Sequence, residues 1–201
     1  MRRFAIIAST APSSGTFTLN DLPSAGRMDV ICRNIGSSLL LSHGIRRDAE
    51  AIVHLMGGPG KPRRIRFRTS DLVGLRADER SIAGMIRGVI GEPLPPLGMW
   101  KEYSQGISHS GGGLGTTLDE WHSADVSVFQ LDKDGSTLDS MHKIPLDSGF
   151  IVGDHNPLEA PVGTQEITLI STGDQWLLGS ASISIVHHWL DSHSGNPSTS
   201  G

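Results

Sequence analysis

The chain has 201 residues, the size of a single domain with one sizeable core. Its only cysteine, Cys32, excludes an internal disulfide framework and a cysteine-based zinc site, and no metal site is predicted. No apolar run approaches the roughly 20 residues that span a bilayer, so we expect a soluble, cytoplasmic protein.

The formal net charge of −4 is distributed unevenly along the chain. Residues 1–100 carry 14 Lys and Arg against 8 Asp and Glu, whereas residues 101–201 carry 3 against 13. A basic half is typical of a protein that binds nucleic acid, because cations that neutralise phosphates release counterions. The alternative is a chance distribution of surface charge.

The N-terminal part predicts strands that alternate with an amphipathic helix. The apolar run at residues 4–8 predicts a buried strand, and residues 51–56 predict a second one. Between them, apolar side chains recur at the spacing of one helix face: Met28, Ile31, Cys32, Ile35 and Leu39. Cys32 lies on this stripe, which predicts a small buried side chain rather than a nucleophile.

Arginines alternate with apolar side chains between residues 63 and 68. In a strand, Arg64, Arg66 and Arg68 share one face, and Ile65 and Phe67 share the other. Three evenly spaced guanidiniums would form a row of phosphate contacts. The alternative is an edge strand that is protected by charge, and both interpretations stay open.

A second amphipathic helix is predicted to begin at Asp78, which fits an N-cap, and to end at the proline-rich residues 91–96. Residues 98–115 are rich in glycine and have no periodicity, which predicts a flexible loop. A short helix is expected at residues 117–121.

The C-terminal part predicts strands at residues 126–131, 149–152 and 167–170, with a turn at 132–135. The last helix is predicted to open at Asp174 and to bury Leu178, Ala181, Ile185 and Trp189. Its histidines are expected at the surface, and residues 193–201 as a disordered tail. Strands that alternate with helices indicate an α/β fold with a mainly parallel sheet.

Three common motifs are missing from the sequence. No G-x-G-x-x-G follows the first strand, no P-loop occurs because Gly60-Lys61 precedes proline, and no G-x-S-x-G is present. These absences weigh against dehydrogenases, kinases and serine hydrolases.

Several blocks resemble the archaeal tRNA pseudouridine N(1)-methyltransferase family (TrmY). They are DLPSAGRMD at 21–29, LSHGIRRD at 41–48, DERS at 78–81, IVGDH at 151–155, STG at 171–173 and WLLGS at 176–180. Blocks of this length, in this order over nearly the whole chain, are far more specific than a single glycine motif.

The resemblance implies the SPOUT fold, an α/β class with a parallel sheet flanked by helices and a C-terminal deep trefoil knot. We expect one such domain over residues 1–192, S-adenosylmethionine as the cofactor, and a homodimer. The residues implied as cofactor contacts lie in or beside the knot loops: Leu131, Gly153, Asp154, Ile170, Ser171, Thr172, Gly173, Trp176, Leu177, Leu178 and Ser182.

Methylation at N(1) of pseudouridine releases a weakly acidic proton, which a carboxylate or a hydrogen-bonded water can accept. The acidic residues inside the matching blocks, Asp29, Asp48 and Asp78, are the candidate catalytic residues. The candidate RNA contacts are Arg27, Arg46, Arg47, Arg64, Arg66 and Arg68. The family has a cysteine where this chain has Ser182, for which we predict a role in packing the cofactor.

The sequence therefore predicts an S-adenosylmethionine-dependent methyltransferase that acts on pseudouridine in structured RNA, expected to be tRNA. Two alternatives remain at this point. One is a SPOUT methyltransferase for another RNA base or site, and the other is a knotted RNA-binding protein with weak catalysis.

Overall fold

The structure is a computed structural model that describes residues 1–141, 143–154 and 166–193. Its helices are α1 (Met28–Leu39), α2 (Glu79–Ile90), α3 (Leu114–Ser123) and α4 (Gly179–His193). Its strands are β1 (Arg2–Pro12), β2 (Leu40–Leu41), β3 (Gly44–Ile45), β4 (Ala49–Gly57), β5 (Arg63–Arg68), β6 (Lys101–Ser104), β7 (Ile107–Gly111), β8 (Ser127–Thr137), β9 (Ser148–Val152) and β10 (Ile167–Ser171).

Eight strands form one sheet in the order β10-β8-β9-β1-β4-β5-β7-β6. All neighbours from β10 to β4 are parallel, and those from β4 to β6 are antiparallel. The predicted α/β fold with a mainly parallel sheet is thus confirmed. Because Arg2 pairs with both Ala49 and Ser148, the parallel strands begin together at one edge of the sheet and end together at the other.

The two faces of the sheet pack against different helices, because side chains alternate along each strand. Phe4, Ile6 and Ala8 of β1 face the larger core, which α1, α2 and α4 complete. Ala5 and Ile7 face a smaller core under α3. We call these two sides the large-core face and the α3 face.

The two predicted amphipathic helices of the N-terminal half are confirmed. Cys32 is buried on the core side of α1, and burial raises the pKa of its thiol, as expected of a small apolar side chain rather than a nucleophile. At the start of α2 the carboxylate of Asp78 accepts a hydrogen bond of 2.8 Å from the backbone N–H of Ser81. Asp78 is therefore an N-cap.

The loop predicted at residues 98–115 is wrong, because this segment contains the β6–β7 hairpin and the start of α3. Its serines and glycines carry no strand signal of their own, and β7 is ordered by pairing with β5. Gly106 forms the turn at φ 77°, where a Cβ would lie 2.4 Å from the backbone of Leu72. Only glycine fits this close approach.

The turn predicted at residues 132–135 lies inside the longer strand β8. The pairing of β10 nevertheless shifts there, because Leu169 pairs with Gln130 and the next residue, Ile170, pairs with Ser136. The residues between Gln130 and Ser136 therefore bulge out of the ladder. The backbone therefore makes no turn at residues 132–135, but the pairing between β8 and β10 is interrupted there.

The last helix begins at Gly179, five residues later than predicted, and this changes its buried face. Leu178 precedes the helix and is 66% exposed, and Ala181 is also exposed, whereas Trp189 is buried as predicted. His187 was expected at the surface but is only 5% exposed. One of its ring nitrogens lies 3.1 Å from the Arg2 guanidinium and the other 3.0 Å from the Ser38 carbonyl, so the ring joins α4 to β1 and α1.

The predicted tail at residues 193–201 lies outside the described residues, except for His193, which ends α4. Within the described ranges, none of the helices combines the length and the apolar character needed to cross a membrane.

Candidate active site

A cavity of about 520 Å³ opens where the parallel strands end. Its walls come from the bulge of β8, from the end of β9, from the segment between β10 and α4, and from the first turn of α4. Arg27 and Val30 close it from the side of α1. Ligand sites of open α/β sheets lie at this edge, because the loops that leave the carboxyl ends of the strands converge there.

Most residues predicted as cofactor contacts meet in this cavity. Those that line it are Leu131, Gly153, Asp154, Thr172, Gly173, Trp176, Leu177, Leu178 and Ser182. The other two lie behind the wall, with Ile170 in the large core and the Ser171 hydroxyl bonded to the backbone of Gly173. That these side chains contact a cofactor stays a prediction.

Polar groups fix the shape of the loops around the cavity. The backbone N–H of Ser9 donates to the carboxylate of Asp154 at 2.7 Å, which ties the end of β9 to β1. The hydroxyls of Thr172 and Ser182 lie 3.3 Å apart and link the last loop to α4. The cavity therefore has a defined polar side next to its apolar side chains.

The apolar lining of the cavity consists of Val30, Leu131, Val152 and the three consecutive residues 176–178. The Trp176 ring is largely exposed, and the Lys133 ammonium lies 5.8 Å from its centre. An apolar slot with a few convergent polar groups is the usual form of a site for a small organic ligand.

Several lining residues are not predicted from the sequence, namely Val30, Asp132, Lys133, Val152, Gln175 and Gly179. Asp132 and Lys133 looked like turn residues, and Val30 stands outside the apolar stripe of α1. A usable signal was present for Val152 and Gly179, because both lie inside blocks that match the family.

Asp29 lies beside the cavity, but its carboxylate is already engaged. Arg27 donates two hydrogen bonds of 3.0 Å to it, and Arg33 donates one of 2.7 Å. These bonds, with that of Arg27 the largest cause, lower the pKa of Asp29 to about 2. A carboxylate stabilised in this way is a poor proton acceptor near neutral pH.

The other two candidate acids do not reach the cavity within one chain. Asp48 directly precedes β4, at the amino edge of the sheet, and pairs with Arg2 at 3.2 Å. The length of β9, about 13 Å at roughly 3.3 Å per residue, separates this edge from Val152 in the cavity wall. Within one chain Asp48 therefore lies far from the cavity, and its catalytic role stays a prediction, while Asp78 serves as the cap of α2.

Two predicted RNA contacts, Arg46 and Arg47, also lie at the amino edge. Arg46 makes two hydrogen bonds, of 3.1 and 3.0 Å, to the carboxylate of Asp191 in α4. Arg47 donates to the backbone carbonyl of Thr69 at 2.9 Å. Both guanidiniums hold the fold together where α4 ends and β4 begins.

The predicted row of three exposed arginines on β5 is wrong at Arg64, which is 0% exposed. Its guanidinium donates to Glu120 at 2.8 Å and to Thr117 at 3.0 Å, which attaches α3 to the sheet. The alternative of a charged edge strand is also wrong, because β5 lies between β4 and β7.

Arg66 and Arg68 line a second cavity of about 340 Å³ on the α3 face. Arg66 donates to the Ser108 hydroxyl at 3.1 Å and lies 4.1 Å from the centre of the Trp100 ring. Arg68 pairs with Glu50 at 3.2 Å. Both side chains are partly exposed, so a role in RNA binding stays a prediction for them.

Across the described parts of the chain, no three His, Cys, Asp or Glu side chains are grouped so that they could hold a metal ion.

Comparison with known proteins agrees with the resemblance seen in the sequence. The profile of a family described as "Putative SAM-dependent RNA methyltransferase" matches residues 1–194. The chain is 38% identical to the tRNA (pseudouridine(54)-N(1))-methyltransferase of Methanococcoides burtonii over 156 residues, which is 77% of this chain and 76% of that protein. It is 36% identical to the enzyme of the same name from Haloarcula marismortui, over 95% of this chain and 96% of that protein.

Among solved structures, the fold is similar to that of Archaeoglobus fulgidus Nep1 bound to S-adenosylhomocysteine. The TM-score is 0.63, and the match covers 96% of this chain and 98% of that one at 16% sequence identity. At this identity the likeness concerns the fold alone. The match of nearly the whole chain to the family profile, together with the identity to archaeal relatives, shows that the chain belongs to the SAM-dependent RNA methyltransferase family of the tRNA pseudouridine N(1)-methyltransferases.

Proposed function

We propose that the protein transfers the methyl group of S-adenosylmethionine to N(1) of a pseudouridine in tRNA. The observation that carries this proposal is the cavity at the carboxyl edge, in which three loops that are distant in sequence come together. The family description supports the cofactor and the RNA substrate. The names of the relatives support pseudouridine 54 of tRNA as the target.

The residues of the cavity fit this cofactor. A volume of about 520 Å³ lies within the range of cofactor sites. Gly179 gives the wall its shape, because a Cβ there would lie 3.0 Å from Val152 and 2.9 Å from Asn34. We propose that Leu131 and residues 176–178 hold the adenine, while Asp154, Thr172 and Ser182 contact polar groups of the cofactor.

The cofactor supplies a methyl group that its sulfonium already activates. The protein must then hold the base in line with that methyl group and exclude water from the site. Arg27 is partly exposed at the rim of the cavity, and Asp29 holds its guanidinium. We propose that Arg27 binds the RNA there, and that a water at the mouth of the cavity accepts the N(1) proton.

We also propose the finer architecture that the resemblance implies. The single domain over residues 1–192 would have the SPOUT fold, with the C-terminal segment forming a deep trefoil knot, and would act as a cytoplasmic homodimer. Exposed apolar side chains support a dimer, because Leu169, Trp176 and Leu178 are all exposed in the short stretch of chain where β10 leads into α4. Sedimentation equilibrium tests this state, and a monomer at all concentrations would contradict it.

Methyl transfer to two tRNAs that differ in one nucleoside tests the proposed function. One carries pseudouridine at position 54 and the other uridine, in which N(1) forms the glycosidic bond and has no proton to lose. We expect labelled methyl groups to enter only the pseudouridine tRNA. Equal transfer to both would indicate another base or site, and transfer to neither would indicate an RNA-binding protein with weak catalysis.

A further inference from the structure

A buried amide lies directly behind the wall of the active-site cavity. Asn34, on α1, is 1% exposed, and among the described residues neither its amide nitrogen nor its amide oxygen has a hydrogen-bond partner. Buried polar groups in folded proteins are nearly always paired, because leaving them unpaired is unfavourable. An apolar side chain of the same size would suit this buried position better.

The position of the amide connects it to the cavity. A Cβ added to Gly179, the first residue of α4, would lie 2.9 Å from the nitrogen and 3.0 Å from the oxygen of the Asn34 amide. Gly179 lines the cavity, as do Arg27 and Val30, which precede Asn34 by seven and four residues and therefore lie on the same side of α1. The amide therefore faces the first turn of α4 from behind.

That turn carries a second wall residue, because Ser182 lies one helical turn after Gly179 and also lines the cavity. The Ser182 hydroxyl is linked to Thr172 in the last loop. A group that fixes the first turn of α4 thus fixes two parts of the wall at once.

We propose that Asn34 is a positioning residue of the cofactor site. When the cofactor fills the cavity, the first turn of α4 closes on it, and the Asn34 amide then hydrogen-bonds to the backbone of that turn. The amide holds Gly179 and Ser182 against the ligand and favours the occupied state over the empty one. This inference rests on the proposed function, since it takes S-adenosylmethionine to be the occupant.

The near-isosteric substitution Asn34→Leu tests the inference. We expect the thermal midpoint of the ligand-free protein to stay the same or to rise, because an unpaired buried amide is removed. The Kd for S-adenosylhomocysteine, measured by titration calorimetry, should rise about tenfold, which corresponds to the loss of one or two hydrogen bonds. A purely structural role of Asn34 predicts the reverse, a lower midpoint and an unchanged Kd.

His54→Leu is the matched control, because His54 is also fully buried, with both ring nitrogens unpartnered among the described residues, but on the α3 face. The Kd of the His54→Leu variant for S-adenosylhomocysteine should equal that of the native protein. Asn34→Ala also removes the amide, and it replaces Asn34→Leu in the binding measurement if that variant does not fold. If the native protein fails to bind S-adenosylhomocysteine, the proposed function falls as well. If it binds and the Asn34 variants bind within twofold of it, only the role of Asn34 is overturned.

Discussion

At the scale of single residues, the last loop of the cavity depends on the backbone of Gly173. Its φ of 136° lies in a region that side chains rarely adopt. The Ser171 hydroxyl holds this conformation, since it accepts from the Gly173 N–H at 3.1 Å and donates to the Gly173 carbonyl at 2.9 Å. The loop is therefore constrained by its backbone rather than by packing, because a Cβ at Gly173 would meet nothing within 4 Å.

Gly173→Ala should weaken the binding of S-adenosylhomocysteine. Backbone strain of about 1–3 kcal/mol would displace the loop from its conformation, and calorimetry would record a Kd raised by roughly tenfold or more. Gly113→Ala is the control, because Gly113 has an ordinary φ of −113° and equally open space. Equal affinities for the two variants would show that the Gly173 loop is not part of the binding site.

At the scale of elements, β5 shows why one strand carries arginines with different roles. Arg64 is buried against α3, whereas Arg66 and Arg68 are partly exposed. We expect Arg64→Ala to destabilise the fold by about 1–3 kcal/mol, because the partly exposed Glu120 loses its ion-pair partner and keeps the indole N–H of Trp100. Denaturant unfolding measures this loss, and a change below about 1 kcal/mol would contradict the structural role of Arg64.

The other two arginines are expected to affect RNA binding instead. Arg66→Ala and Arg68→Ala should each weaken tRNA binding and reduce the slope of log K against log salt by about one unit per lost phosphate contact. Arg47→Ala is a control for charge, because its guanidinium is bonded to the Thr69 carbonyl. Unchanged slopes in both β5 variants would limit these arginines to the internal contacts they make with Ser108 and Glu50.

The elements also show what the sequence can predict. The alternation in β5 and the apolar stripes of α1 and α2 identified these elements, because each one's own side chains form the core. The β6–β7 hairpin had no such pattern, since its order comes from pairing with β5. The start of α4 is predicted too early because the apolar residues 176–178 line the cavity instead of forming a helix face.

In the candidate site, the cavity loops were more predictable from the sequence than the roles of the charged residues. The cavity loops were identified by resemblance to a family, and the structure brings most of them together. The acids and arginines were less predictable, because a charged residue in a matching block can equally be a cap or an ion-pair partner. Asp78 and Arg46 are such cases.

At the level of the whole molecule, ion pairs within the fold neutralise part of the uneven charge along the chain. Cations of the N-terminal half pair with anions of the C-terminal half, as in Arg2–Asp191 at 2.6 Å, Arg64–Glu120 at 2.8 Å, and Arg3–Asp147. The basic half therefore neutralises part of the acidic half. Only the cations outside such pairs can contribute fully to phosphate binding.

Three buried histidines make the stability of the fold depend on pH. Burial, with a smaller contribution from nearby arginines, lowers the pKa of His54 to about 3 and those of His109 and His187 to about 4. Between these values and about pH 6.5, the unfolded chain takes up protons that the folded chain does not. Their contribution to the free energy of unfolding is thus complete above pH 6.5 and is lost as the pH falls towards 4.

His54→Leu should therefore reduce the pH dependence of the free energy of unfolding. Each such histidine contributes a slope of up to about 1.4 kcal/mol per pH unit below its unfolded pKa. Urea unfolding between pH 6.5 and 4.5 measures this slope, and a variant of the exposed His188 serves as the control. A slope in His54→Leu equal to that of the native protein would mean that His54 is protonated in the folded state.

Whether this chain places a methyl group on N(1) of pseudouridine in tRNA can be tested in the cell. The test is mass spectrometry of tRNA nucleosides from a strain that lacks the gene. We predict that 1-methylpseudouridine disappears, that unmodified pseudouridine takes its place, and that the native gene restores the methyl group while Gly173→Val does not. Unchanged 1-methylpseudouridine in the deletion strain would contradict the assignment.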